Sequence, residues 1–419
     1  MLNRKIALTF VAGGMLGLAQ AALAETPSAV LDDAANRTSM AGDTSGYSGH
    51  FFLGDGGANR LEFGGFGQLR YNMNIRRSAS TDPVLGEGGA ENLTHGFQVR
   101  KIRLWTGGTV GDPNFSFKVS GDFADDPLAG GFELRDAYFG YNMGNGMTFV
   151  AGQFKGPGLR EELVGDENQL TAERSVMNSV FSQGRSQGIA IVGAQDQWRY
   201  WAGVHDGLGS LNTDFNSSGE FDFAVGARVE FLAMGNDFSR FDRFSSWGGQ
   251  ETAGLCGAAF AFESGGSTGA DTVDKTSDAD AWFITLDSQW GGDGWNAFGA
   301  FIYRSYKASG GESLNDMGFC LQGGYFFQDN FEGFARIDSV MPDKDWGGGV
   351  DAENFSTLAL GVNYYLVKHS NASKVTAEFL YYLNNPSEAI IVSPGTNLNL
   401  LDSSKDGQLG FLVQWQGVW

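Results

Sequence analysis

From about residue 60 to the end of the chain, large apolar residues fall on alternate positions of short segments, with glycine, polar or charged residues between them. Phe115, Phe117, Val119, Gly121 and Phe123 alternate with Ser116, Lys118, Ser120 and Asp122. Phe223, Val225, Ala227, Val229 and Phe231 do the same against Asp222, Ala224, Gly226, Arg228 and Glu230, and later series run through Leu358, Leu360 and Val362 and through Val375, Ala377 and Phe379. A period of two puts successive side chains on opposite faces of an extended strand. Such segments, roughly 9 to 14 residues long and about sixteen in number between 60–77 and 406–419, predict an all-β fold.

Periodicity alone does not separate a soluble β-protein, apolar inside, from a transmembrane barrel, apolar outside. Three features favour the transmembrane antiparallel β-barrel: segment lengths near the ~9 to 11 residues that cross a bilayer at a tilt, aromatic residues at segment ends such as Trp282 and Trp290, and long polar loops alternating with tight turns. Gly111-Asp112-Pro113, Asn145-Gly146, Asp196-Gln197, Gly292-Asp293-Gly294 and Gln328-Asp329-Asn330 are turn signals for one end of the barrel. Phe411, Val413, Trp415, Gly417 and Trp419 alternate up to the last residue, like the C-terminal insertion signal by which outer-membrane barrels meet their assembly machinery. An even count of about sixteen strands suits a closed barrel with both termini at the turn end.

Composition narrows the setting. Arg4 and Lys5, the apolar run Ile6 to Leu18 and Ala22-Leu23-Ala24 predict a removable export signal over 1–24. Residues 25–58, small and polar, read as a periplasmic segment or short plug, leaving 59–419 for the barrel in the outer membrane and its lipid. Glycine is 63 of 419 residues, proline only 8 and aromatics 13 %, which excludes a disordered chain. The formal charge of −21 argues against a nucleic-acid partner. Cys256 and Cys320 either form one bond or remain two small apolar side chains. The four histidines lack metal-ligand spacing and no nucleophile elbow or phosphate loop occurs, so no enzyme and no cofactor are expected; Asp125-Asp126 leaves loop calcium open.

Basic residues are uneven: of 28, most precede residue 244. Alternation sends Lys101 and Arg103 into the lumen with Arg100 near the strand's entry, and Arg70, Lys118 and Lys155 fall on the polar face of other segments. Cations on adjacent strands of one wall make a positive field, which low-dielectric walls focus along a pore. The stretch from Gly156 to Gly184 is the candidate constriction loop. In and beside it Arg160, Arg174 and Arg185 either offer guanidinium forks to a passing phosphate or carboxylate, or pin the loop by pairing with Glu161, Glu162, Glu167 and Glu173. Inward glycines such as Gly64, Gly203, Gly226 and Gly361 predict an open lumen, and Phe66, Tyr138 and Trp201 would line a sugar or acid slide.

The block Phe97-Gln-Val-Arg-Lys-Ile-Arg-Leu-Trp105, with Leu134-Arg-Asp-Ala-Tyr-Phe-Gly-Tyr141, Val150-Ala-Gly-Gln-Phe-Lys-Gly-Pro157, Arg160-Glu-Glu-Leu163 and Gly184-Arg185-Ser-Gln-Gly188, resembles the phosphate-selective porin O and P family over roughly residues 60 to 210. The resemblance implies a sixteen-stranded homotrimeric porin, an internal loop narrowing the pore, and lumenal basic residues guiding anions. The expected function is passive diffusion of small hydrophilic solutes, neutral or anionic, with a preference for anions such as phosphate. The alternatives are a weakly cation-selective general porin, a sugar- or acid-specific porin, and a structural or adhesion barrel with a closed lumen.

Overall fold

The computed structural model describes residues 45–47, 50–55, 58–77, 92–123, 131–207, 210–214, 222–265, 279–308, 310–347 and 351–419. The expected export signal 1–24, most of the segment 25–58 and the Asp125-Asp126 pair lie outside the described residues.

A short hairpin of β1 (Ser45–Tyr47) and β2 (Phe51–Gly54) precedes the barrel. The barrel strands are β3 (Arg60–Ile75), β4 (Leu93–Val110), β5 (Asp112–Asp122), β6 (Glu133–Gly144), β7 (Met147–Lys155), β8 (Arg185–Gln195), β9 (Trp198–His205) and β10 (Phe223–Met234). They continue as β11 (Ala253–Ser264), β12 (Ala279–Gly291), β13 (Trp295–Ala308), β14 (Ser313–Gln328), β15 (Phe331–Met341), β16 (Phe355–Tyr365), β17 (Ser373–Tyr382) and β18 (Gln408–Val418). Each pairs antiparallel with the next, and β18 returns to β3, closing a 16-strand barrel. Closure removes the free edges that a sheet cannot keep in hydrocarbon. It is completed at the last residue, where the Trp419 amide donates to the Gly65 carbonyl at 2.9 Å and the Gly65 amide donates back at 2.8 Å. A Cβ on Gly65 would lie 2.5 Å from the Arg103 carbonyl, so only glycine lets β3 and β4 approach there. β2 adds to the first residues of β3, prolonging the sheet at the terminal end.

The outward face is the apolar one. Ile284, Leu286, Leu321, Leu360 and Phe379 are exposed, whereas Phe283, Thr285 and Asp287 between and beside them on β12 are buried inside. Leu286, 55 % exposed near the middle of β12, would sit in lipid. Leu286→Arg is expected to destabilise the refolded barrel by ~2–4 kcal/mol, read from urea unfolding in bilayers, because a charge there has no water to face. The tight turns fall where expected, with positive φ at Gly111, Asn145, Gly146, Asp196 and Gly294, all at the end bearing the termini.

The interior departs from the expectation of an open, uniformly polar lumen. The loop between β7 and β8 folds inward as predicted, carrying α1 (Arg160–Leu163) and α2 (Val176–Phe181), and it crosses the barrel to rest on β14 and β15. Leu159, Leu170, Val176, Met177 and Phe181 join Phe283, Ile302, Phe334 and Val340 in one buried apolar cluster. A Cβ on Gly318 of β14 would meet Phe181 at 2.7 Å and Met177 at 2.8 Å, so α2 seats directly on that glycine.

Two further segments fill the same half. The connection 235–252, at the turn end, buries Phe241, Phe244 and Trp247, and the Phe244 amide donates to the Asn168 carbonyl at 3.1 Å. The loop after β17 adds Ala389, Val392 and Leu400 to the cluster. Three of the inward glycines are filled rather than open: Trp105 covers Gly64, Trp201 covers Gly203 and Phe334 covers Gly361. Glycine here makes room for a neighbour's ring. Cys256 is exposed on β11 and Cys320 buried on β14, both unbonded.

Candidate functional site

The inward polar residues divide into two groups by what they hold. On β15 to β17 they satisfy the loop's backbone. Asp338 accepts from the amides of Val176 and Met177 at 2.9 and 3.3 Å, capping α2 together with Ser175, whose hydroxyl accepts from the Asn178 amide. Glu378 accepts from the Ala172 amide, Asn363 donates to the Leu170 carbonyl, Lys374 to the Gln169 carbonyl and Arg336 to the Glu173 carbonyl. A non-regular segment inside a barrel leaves amides and carbonyls that need partners, and this wall supplies them.

On β3 to β8 the polar residues meet the opposite side of the loop as ions. Asp166 is the hub, with Lys101 at 3.0 Å, Arg103 at 2.9 Å and Arg174 closer still. Glu173 receives Arg70 and Arg100, and Glu162 receives Arg174 at 3.5 Å. Arg103 also forks onto Asp122 at 2.5 and 2.7 Å, and Arg185 onto Asp136 at 2.8 and 3.3 Å. Burial pushes the Glu173 carboxyl up, but Arg100 and Arg70 outweigh it and hold the group at about 2. Glu162 is held at about 2 against burial by Arg174 and Lys155, and Asp166 well below the usual carboxylate range against burial by Arg174, Lys101 and Arg103.

Two β-bulges decide which cations reach the lumen. The β3–β4 register slips between Gln68 and Leu69, which oppose Lys101 and Val99, so Arg100 is the extra residue and both it and Lys101 are buried on the inner side. Strict alternation would separate them. The β5–β6 register slips between Ser120 and Gly121, opposite Asp136 and Leu134, and Arg135 becomes the extra residue. Arg135 binds Asp122 at 2.9 Å and Glu133 at 2.7 Å, beside Asp136 and its partner Arg185.

The space left along this wall consists of two cavities that meet. The one toward the long loops, about 480 Å³, is lined by Arg100, Lys101, Arg103, Arg135, Arg174 and Arg185 with Glu162, Asp166 and Glu173. The one toward the turns, about 410 Å³, carries Arg103, Lys118, Lys155 and Arg185 with Asp136 and Glu167. Arg103 and Arg185 belong to both and so stand where the two cavities meet. A third space of about 370 Å³ adjoins the second through Leu163, Val192 and Trp201.

Seven of the nine basic residues expected at the pore line these two cavities: Arg100, Lys101, Arg103, Lys118, Lys155, Arg174 and Arg185. Two do not. Arg70 has 0 % exposure, enclosed by Glu173, Gln414 and the Asn397 carbonyl. Arg160 groups with Arg228 and Arg199 around Glu230 and donates to the Phe241 carbonyl, tying loop to wall at the edge of the third space and outside the two joined cavities. Of the pinning contacts expected for the loop arginines, Arg174 pairs with Glu162, while Arg160 and Arg185 take wall carboxylates. Sequence reasoning missed Arg135, hidden by its bulge, and Asp166. It also missed the inward connection 235–252, although Phe238, Phe241, Phe244 and Trp247 recur every third position in what reads as a turn.

A family model described as phosphate-selective porin O and P matches residues 71–382. Among solved structures, the outer membrane channel DcaP of Acinetobacter baumannii is similar over 85 % of this chain and 96 % of its own, at 14 % identity and a TM-score of 0.56. OmpF of Salmonella typhi in complex with daunomycin matches over 86 % and 98 %, at 12 % identity and 0.54. An anion-selective porin from Comamonas acidovorans matches over 86 % and 99 %, at 12 % identity and 0.53. At these identities the likeness is one of fold. No curated protein sequence matches.

Proposed function

The chain belongs to the phosphate-selective porin O and P family, and from that premise we propose that it is an outer-membrane diffusion channel whose solutes pass along the β3 to β9 wall, anions ahead of cations. One observation carries the preference for anions. Eight basic side chains and five carboxylates line the two joined cavities, although the chain as a whole carries −21. Asp122 and Glu133 pair with Arg103 and Arg135 from just behind this lining, which leaves eight cations against seven carboxylates along a wall of a chain that is strongly acidic as a whole. What a permeating ion meets where the two cavities join is Arg103 and Arg185.

Phosphate as a favoured solute, assembly into homotrimers, export by residues 1–24 and barrel insertion through the segment ending at Trp419 belong to the same proposal. A passage between two cavities also favours a channel over the closed structural or adhesion barrel.

The test is the reversal potential of the purified protein in a planar bilayer under a KCl gradient, with Lys118→Gln beside it. Lys118 lines the turn-end cavity, makes no salt bridge within 4 Å among the described residues and acts on Asp136 of the wall, not on a carboxylate of the loop, so its removal changes the field without unlatching the loop. A unit charge ~8 Å away in water is worth about 0.5 kcal/mol, so the chloride-to-potassium permeability ratio is expected to fall by a factor of about 5. A potassium-selective wild-type channel would overturn the anion preference, and the absence of conductance would favour the closed barrel.

A further inference from the structure

The turn-end cavity has a second face that its charges do not explain. Beside Lys118 its lining includes Phe66, Trp105, Tyr138, Phe154 and Trp201, contributed by five different strands. Phe154 and Trp201 already pack edge to face, with centroids 6.1 Å apart. The polar groups on these residues all offer donors, the tyrosine hydroxyl being able to accept as well: the Lys118 ammonium, the Tyr138 hydroxyl and the Trp105 and Trp201 indole N–H groups have no hydrogen-bond acceptor among the described residues. An occupant must therefore bring acceptors on one side and apolar surface on the other.

Inorganic phosphate brings acceptors but no apolar surface, and it gives up hydration against aromatic walls without return. A sugar also stacks on such rings and Glu167 offers its hydroxyls an acceptor, yet the cavity sets Arg103, Lys118, Lys155 and Arg185 against two carboxylates, a charge excess that a neutral sugar leaves unused. A carboxylate carried on an aromatic ring meets both faces. Its ring packs on Trp201 and Phe154 while its oxygens take the charge-assisted donor Lys118 and the neutral donors around it. We propose that this cavity is a binding station for aromatic monocarboxylates on their way through the channel; the proposal rests on reading the wall passage as an anion path.

The experiment uses the purified full-length protein in planar bilayers carrying chloride current, with sodium benzoate, acetate and phosphate as probes. Benzoate added on the turn side is expected to halve the current at a concentration about tenfold below that of acetate or phosphate, a difference of about 1.4 kcal/mol. Trp201→Leu should bring the acetate-to-benzoate ratio close to one, and Lys118→Gln should raise the half-blocking concentrations of benzoate and acetate together. Should Trp201→Leu fail to form a barrel, Tyr138→Phe, which removes a donor without a described partner, should still weaken benzoate block several-fold. Benzoate no better than acetate in a chloride-selective channel overturns this proposal alone. So does benzoate block indifferent to the variants at Trp201 and Tyr138, whereas a potassium-selective or silent channel overturns the anion path with it.

Discussion

Replacing Asp166 by asparagine is expected to raise both the single-channel conductance and the chloride-to-potassium permeability ratio. Asp166 sits between loop and wall and pairs with Lys101, Arg103 and Arg174. The isosteric amide keeps the volume and removes the charge, so the loop-end cavity retains six cations but loses one of its three carboxylates. One unit charge ~8 Å from a permeating ion is worth about 0.5 kcal/mol for the anion and as much against the cation, a change of about fivefold in the ratio. The conductance effect has a second origin. Removing one partner of a buried ion pair leaves its cations uncompensated at a cost of about 3–5 kcal/mol, and the cheapest relief is for the loop to withdraw from the wall and let water in. Bilayer recording of the variant checks both effects. A rise in selectivity with unchanged conductance would mean that the apolar seat on β14 and β15 holds the loop without help from the ionic side.

Acid should reach the same latch later than ordinary carboxylates would suggest. Glu162 and Glu173, both at about 2 in the folded protein, stand below the ~4.3 of a free glutamate, and Asp166 is also depressed. A depressed folded value contributes stability that is fully present above the unfolded pKa and is lost as pH falls from there toward the folded one. The latch should therefore weaken progressively between about pH 4.5 and 2, while the charge it presents to the passage stays constant until near pH 2. Reversal potentials measured from pH 7 to pH 3 are expected to change little, followed by a steep turn toward anions once the loop carboxylates take up protons. A selectivity step centred at pH 4 to 5 would show that these groups titrate as solvated carboxylates and that the ion pairs are not maintained in the membrane.

Several parts of this architecture are local and were legible in the chain. The alternation of Phe115, Phe117 and Val119 with Ser116, Lys118 and Ser120 depends only on strand geometry, and so do the positive-φ turns at Asn145 and Asp196. The inward loop announced itself as a long stretch between two clear strands. Its destination did not, because the groups that hold it, such as Asp338 for the amide of Val176, are 162 residues away.

By itself, then, the sequence determined the barrel, its sixteen strands, the lipid-facing side of each and the wall on which the cations lie, since these follow from a period of two taken together with segment length, aromatic segment ends and turn chemistry. The tertiary structure decided what the cations do. Bulges at Arg100 and Arg135 broke the period and brought neighbours in sequence to the same face. Long-range pairing withdrew Arg70 and Arg160 from the passage and made Asp166 its hub. Rings from Trp105, Trp201 and Phe334 occupied the space that inward glycines had left. A period describes one strand at a time, whereas the width and charge of a passage depend on which strands and loops face one another across it.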